Sequence, residues 1–141
     1  MNQGLTAGGR ARGVFENAPI VQDLGVHLRR AGEGSCEATL DVTVRHLQQD
    51  ALVHSGVLAT LADLCASGAA QTLAPPASRV VTSSMDLHFL RPARGARLLC
   101  RAQVFRPGRS LSMVEADVHC QESEKWIHVA RATVTVAILN A

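Results

Sequence analysis

His54–Ala70 reads HSGVLATLADLCASGAA. The stretch is built from small and apolar side chains, and its one carboxylate is Asp63; no other carboxylate, lysine or arginine falls between Asp50 and Arg79. The pattern predicts a helix that starts at His54 or Ser55, either of which can cap its first turn, and runs to about Leu73, where Pro75 and Pro76 stop it. Gly56, Ala59, Thr60, Asp63, Ser67, Ala66 and Ala70 share one broad stripe at helical spacing, and Val57, Leu58, Leu61, Leu64, Cys65 and Leu73 hold the other side. A helix small or apolar nearly all round is enclosed. An unpaired carboxylate inside an enclosed helix is costly. Asp63 is therefore expected beside a cleft or an interface.

Strands flank this helix. SCEATLDVTV alternates, with Cys36, Ala38, Leu40, Val42 and Val44 on one face and Glu37, Thr39, Asp41 and Thr43 on the other, the period of a sheet with one buried face. It pairs with GVHLRRAG through a Gly-containing turn at Ala31–Gly34. VFENAPIVQDLG, before it, reads as a short helix or turn ending at Gly25. After the helix, VVTSSMDLHFL, ARLLCRAQVF, SLSMVEADVHC and KWIHVARATVTVAIL follow with short turns between them, which predicts an antiparallel sheet. Two strands, one long helix and four strands bury each other as an α+β domain.

Composition narrows the function. The chain of 141 residues fits one domain, taken as residues 14–141 behind a flexible leader of residues 1–13 (MNQGLTAGGRARG). A net charge of +2, scattered arginines and no tyrosine give no nucleic-acid footprint. No apolar run reaches the roughly 20 residues that span a bilayer, and the leader lacks the apolar core of a secretion signal. The four cysteines, Cys36, Cys65, Cys100 and Cys120, have no metal spacing and no disulfide framework, so they read as reduced core residues of a cytoplasmic protein. No cofactor and no zinc site are expected.

The order of elements resembles the hotdog fold, a long central helix wrapped by a six-stranded antiparallel sheet. VHSGVLATLADLCASGAA resembles the HGG…LAD signature of PaaI-like acyl-CoA thioesterases. PIVQDLGVHL, TSSMDLHFLRPARG and FRPGRSLSMVEADV are similar to further segments of that family, so the resemblance spans roughly residues 14–139. It implies hydrolysis of an acyl- or aryl-CoA thioester to free acid and CoA. Asp63, nine residues after the motif histidine His54, falls on the helix carboxylate that acts as general base or nucleophile. The motif glycines fall on Ser55 and Gly56, whose backbone N–H groups would polarise the thioester carbonyl. The loop amide falls on Gln48, with Gln49 adjacent, and the strand hydroxyl that holds water falls on Thr82. Arg91, Arg106 and Arg109 are the candidates to meet CoA phosphates. Ser55 in place of glycine and Gln48 in place of asparagine are departures that leave the carboxylate intact. A non-catalytic acyl-CoA-binding or regulatory protein, or a hotdog dehydratase or hydratase, would share the fold. The resemblance also implies a homodimer joined edge to edge and paired again into a homotetramer. SLSMVEADVHC is the expected joining edge. Each site would be composite, His54 and Gln48 of one subunit facing Asp63 and Thr82 of the other.

Overall fold

The computed structural model describes residues 7–140. Two short helices, α1 (Ala7–Glu16) and α2 (Pro19–Leu24), precede the hairpin β1 (Val26–Gly32) and β2 (Ser35–Asp41). The long helix α3 (Ser55–Leu73) follows, and then β3 (Arg79–Phe89), β4 (Arg97–Arg106), β5 (Leu111–Glu122) and β6 (Lys125–Leu139). The architecture is the α+β hotdog arrangement: a six-stranded sheet, antiparallel throughout, curled around α3.

Local chemistry sets these boundaries. Pro19 starts α2 at a position where a missing N–H costs nothing, and Gly25, at φ 79°, closes it by donating its N–H to the Val21 carbonyl at 2.9 Å. Glu33 and Gly34 both have positive φ, the geometry of a tight hairpin turn between β1 and β2. That turn is pinned to the end of α3: Gly34 N–H donates to Thr72 Oγ1 at 2.8 Å, and a Cβ on Gly34 would stand 3.1 Å from Leu73 Cδ1.

The core lies between α3 and the inward side chains of the sheet. Leu58, Leu61 and Cys65 meet Cys36, Ala38, Leu40, Leu98, Val114, Val118 and Val134 in one cluster. Small helix residues allow the close approach. A Cβ on Gly68 would stand 2.8 Å from Cys36 Sγ and 3.0 Å from Phe15 Cε2, so the glycine is the space into which β2 and α1 press.

Four expectations change. Residues 7–13, expected within a flexible leader, belong to α1, where Ala11 and Phe15 are buried; residues 1–6 of that leader lie outside the described residues. The second strand ends at Asp41, and Val44 is exposed in a single 3-10 turn, because the chain must leave the sheet to reach the start of α3. The stripe on α3 is narrower than the sequence suggested: Ala66 and Ala70 are fully buried, and Gly56, Ala59, Thr60, Asp63 and Ser67 remain open to solvent in part. The joining edge is not β5. The strand order is β1-β2-β4-β5-β6-β3, so SLSMVEADVHC is paired on both sides, and the free edges are β1 and β3. After α3 the chain crosses to the far edge before it returns beside β2, a crossover that the sequential reading of strands does not reveal.

Candidate active site

The start of α3 is built by the loop before it. His46, fully buried, donates from Nε2 to the Leu24 carbonyl at 2.8 Å and accepts the Thr43 N–H on Nδ1 at 2.9 Å. Its own carbonyl accepts the His54 N–H at 2.8 Å. Leu47 and Val53 form an isolated bridge, and the Val53 N–H donates to the Ala93 carbonyl at 3.0 Å. Gln48 closes this loop from within, since its Oε1 accepts from the Asp50 N–H and, at 3.4 Å, from the Leu52 N–H. The amide oxygen is thereby spent on the loop, and Nε2 is the group left to reach outward. Gln49, the alternative amide, is exposed.

His54 caps α3 in an extended conformation, φ −60° and ψ 137°, and its Nδ1 accepts the Gly56 N–H at 2.8 Å. A neutral imidazole that accepts on Nδ1 carries its proton on Nε2. A Cβ on residue 56 would stand 3.0 Å from Nδ1 and 3.3 Å from Cε1, which explains the glycine there. The expected pair of free N–H groups at Ser55 and Gly56 is thus one group: the Gly56 N–H is taken by His54, and the Ser55 N–H has no hydrogen-bond partner among the described residues. Gln48, His54, Ser55, Leu58, Phe89 and Arg91 border a cleft of about 520 Å³ at this helix end. Arg91 is held at its rim, with Nη1 donating to the His128 carbonyl at 3.2 Å.

Asp63 stands elsewhere. Nine residues along a helix is a rise of about 13 Å from His54. Its Oδ1 accepts a hydrogen bond from Thr82 Oγ1 at 2.5 Å, and Thr82 Oγ1 lies 3.5 Å from Ser67 Oγ. Because the Thr82 proton is given to the carboxylate, Ser67 is the donor in the second contact, and the three side chains form a chain that orients Asp63. Ser67 was legible in the sequence as a stripe residue one turn after Asp63, although nothing there marked it as a partner. Met85 and Phe89, which share the helix-facing side of β3 with Leu87, stay 38% and 51% exposed. Asp63 therefore lies, partly open to solvent, between α3 and the edge strand β3.

Arg106 and Arg109 are not gathered with the others. They flank the β4–β5 turn, level with the Val81 end of β3, whereas Arg91 follows its Phe89 end, about 26 Å away along the strand. The described chain thus holds two candidate half-sites, one at the start of α3 and one, with the Asp63 carboxylate, beside β3. The four cysteines are buried. Hydrogen bonding to Cys65 and burial raise the Cys36 thiol, and burial raises Cys120, so neither serves as a thiolate nucleophile.

Comparison with known proteins agrees with this architecture. Residues 51–127 match the thioesterase superfamily. A Haemophilus influenzae protein described as an esterase is 30% identical over 116 residues, 82% of this chain and 83% of that protein. The crystal structure of a thioesterase family protein from Silicibacter pomeroyi superposes with a TM-score of 0.92 at 27% identity, over 94% of this chain and 97% of that one. The E. coli PaaI protein from the phenylacetic acid degradation operon gives 0.82 at 25% identity, over 93% and 91%. The chain belongs to the thioesterase superfamily. It is a thioester hydrolase of hotdog fold, with PaaI among its structural neighbours.

Among the described residues no helix is long and apolar enough to cross a membrane.

Proposed function

We propose that the protein hydrolyses an acyl- or aryl-CoA thioester, with Asp63 as the reacting carboxylate. The observation that carries this reading is the Thr82–Asp63 hydrogen bond: a carboxylate partly open to solvent, oriented by a hydroxyl, on a stripe of small residues that leaves room for a thin pantetheine arm. A carboxylate so placed either takes a proton from water or attacks the carbonyl carbon itself. The thioester carbonyl is then tetrahedral, and its oxygen carries the negative charge. The Ser55 N–H and the His54 Nε2–H, at the positive end of α3, are the donors suited to that oxyanion. Collapse breaks the C–S bond. In the general-base branch the free acid is formed and the CoA thiolate takes the proton that Asp63 had accepted. In the nucleophile branch the acyl group stays on Asp63 as an anhydride, which water hydrolyses to free acid while the thiolate takes one of that water's protons. The Gln48 amide nitrogen, free of the loop contacts that occupy Oε1, is the group proposed to hold the attacking water or the carbonyl group.

The two half-sites meet if β3 pairs with β3 of a second copy in antiparallel fashion. The unpaired edge of β3 and its half-exposed Val81, Met85 and Phe89 support this pairing. A two-fold axis at the middle of the strand would turn the partner's α3 antiparallel to this one, with the partner's Asp63 facing the His54 cleft. The same operation would carry the partner's Arg106 and Arg109 toward the Phe89 end, where Arg91 stands, and so gather three cations for the CoA phosphates.

Incubation with a panel of aryl-, short- and medium-chain acyl-CoA thioesters, with released thiol followed by a chromogenic reagent, tests the reading. Turnover of at least one class by the wild-type protein is expected; no thiol release from any would leave a binding protein instead. Thr82→Val should lower kcat by roughly ten- to a hundredfold with KM little changed, the effect of losing a hydrogen bond to a charged group of about 1.5–3 kcal/mol. An unchanged kcat would remove Thr82 from the site.

A further inference from the structure

The rim of the cleft hangs on a bulge in β6. In the β5–β6 register Val118 faces Ala130 and His119 faces His128, so Val129 is an extra residue on its strand. The Val129 carbonyl accepts the Leu90 N–H at 2.8 Å and the Arg91 N–H at 3.4 Å. The His128 carbonyl accepts from Arg91 Nη1 at 3.2 Å, the one hydrogen bond of that guanidinium among the described residues. Two residues of β6 thus fix Arg91 at its backbone and at its charged end, and leave its other guanidinium nitrogens free for an anion.

The bulge is itself held from the face of the sheet turned away from α3. His128 Nε2 lies 2.8 Å from Asp117 Oδ1, and the His128 ring stacks on that of His119, with centroids 4.6 Å apart and planes inclined by 13°. A bulge interrupts the backbone ladder, so side-chain contacts decide how firmly it is set. The charges around the stack come from every neighbouring strand. Arg131 Nε of β6 reaches Asp117 at 3.8 Å, Arg101 of β4 stands beside Asp117 in register, and His88 of β3 stands beside Arg131. One imidazolium fits this setting, because Asp117 balances it. Two do not, because stacked cations at this distance repel and Asp117 already faces two arginines. Burial, His128 and Arg101 accordingly push the His119 imidazole below its ordinary value of 6.5, against the pull of Asp117.

We propose that His128 is a positioning residue for substrate binding: its contacts with Asp117 and His119 set the bulge, and the bulge sets Arg91 at the rim of the cleft, a role that rests on the reading of Arg91 as a contact for CoA phosphates. Protonation of the second ring breaks the stack, loosens the bulge and releases Arg91 from the rim. The sign follows from the preference of the stack for a neutral His119. The brace is whole above the ordinary imidazole range and is lost as the pH falls below it. Binding is affected and the chemical step is not, because the two rings lie across the sheet from α3 and Asp63.

Affinity for free CoA, measured by isothermal titration calorimetry from about pH 7.5 down to about pH 5, reads this effect without hydrolysis. The phosphates of CoA titrate in the same range, so the wild type is compared with His119→Phe, whose ring still stacks but takes no proton. Between those limits the wild type should lose on the order of tenfold more affinity than His119→Phe, the scale of one contact to a charged group. His128→Ala should weaken CoA binding about as much as Arg91→Ala at every pH, and the double variant should add nothing further. His128→Gln, whose amide still donates to Asp117, should restore most of the affinity at the upper pH. With a thioester that is turned over, His128→Ala should raise KM while kcat changes little. Equal pH dependence in the wild type and His119→Phe overturns the proposal, and so does a folded His128→Ala protein that binds CoA as the wild type does. If His128→Ala fails to fold, the His119→Phe comparison decides. Loss of binding in Arg91→Ala with none in His128→Ala leaves the phosphate role of Arg91 standing and overturns this inference alone. CoA binding that is absent, or that Arg91→Ala leaves unchanged, overturns both.

Discussion

Asp63→Asn is expected to reduce thioester hydrolysis by at least about a hundredfold while the fold and its melting temperature stay close to wild type. The amide keeps the shape of the carboxylate and still accepts the Thr82 hydrogen bond, recorded at 2.5 Å in the native chain. It cannot take a proton from water, and it cannot attack a carbonyl carbon. The loss should therefore fall on kcat, with KM for the thioester little altered. The substitution removes a charge from a partly solvated stripe, so it relieves burial of a charge instead of creating it. Steady-state rates of thiol release, with circular dichroism as the folding control, give the answer. Hydrolysis within a few fold of wild type would remove Asp63 from the chemistry.

Ser55→Pro is expected to cost about 3 kcal/mol in the barrier, on the order of a hundredfold in rate, as for other lost oxyanion donors. Proline suits the first position of a helix, and His54, at φ −60° and ψ 137°, already has the extended conformation that a residue before proline requires. The substitution thus deletes one N–H that nothing in the described chain uses and little else. Ser55→Gly keeps that N–H and should keep most of the activity, although the family motif has glycine where this chain has serine. Equal rates for the proline and glycine variants would mean that the Ser55 N–H plays no part.

Much of this arrangement was legible in the residues. The helix over Ser55–Leu73 follows from the apolar periodicity, the capping histidine and the Pro-Pro stop. The alternation of apolar with polar residues and the polar turns between the runs located β4, β5 and β6 within a residue or two. Strand order did not follow, because the pairing of β3 with β6 depends on a crossover that leaves no mark on local periodicity. Alternation in β3 also changes phase: Thr82 pairs with Val136 and Ser84 with Thr135, so Ser83 is a bulge, and Thr82 and Met85 come to face α3 from opposite sides of it. Helix α1 was hidden by its glycines and by a composition like that of a loose tail; its burial comes from Phe15 packing into the space left by Gly68, which is a tertiary fact. At the site, the position of Asp63 and its hydroxyl neighbour could be placed from the motif. The engagement of the Gly56 N–H by the His54 ring could not, since it depends on a side-chain rotamer.

The central claim is that the carboxylate and the polarising helix end act on one substrate although a single chain holds them about 13 Å apart. Subunit mixing tests it most directly. Asp63→Asn and Ser55→Pro chains, each nearly inactive alone, are combined under conditions that exchange subunits, with exchange followed by native mass spectrometry. In a mixed dimer one site carries both defects and the other carries neither. Activity should return to about a quarter of wild type, since random exchange makes half the dimers mixed and each has one intact site of two. Confirmed exchange with no recovery would contradict the account, because the site would then be complete within one chain.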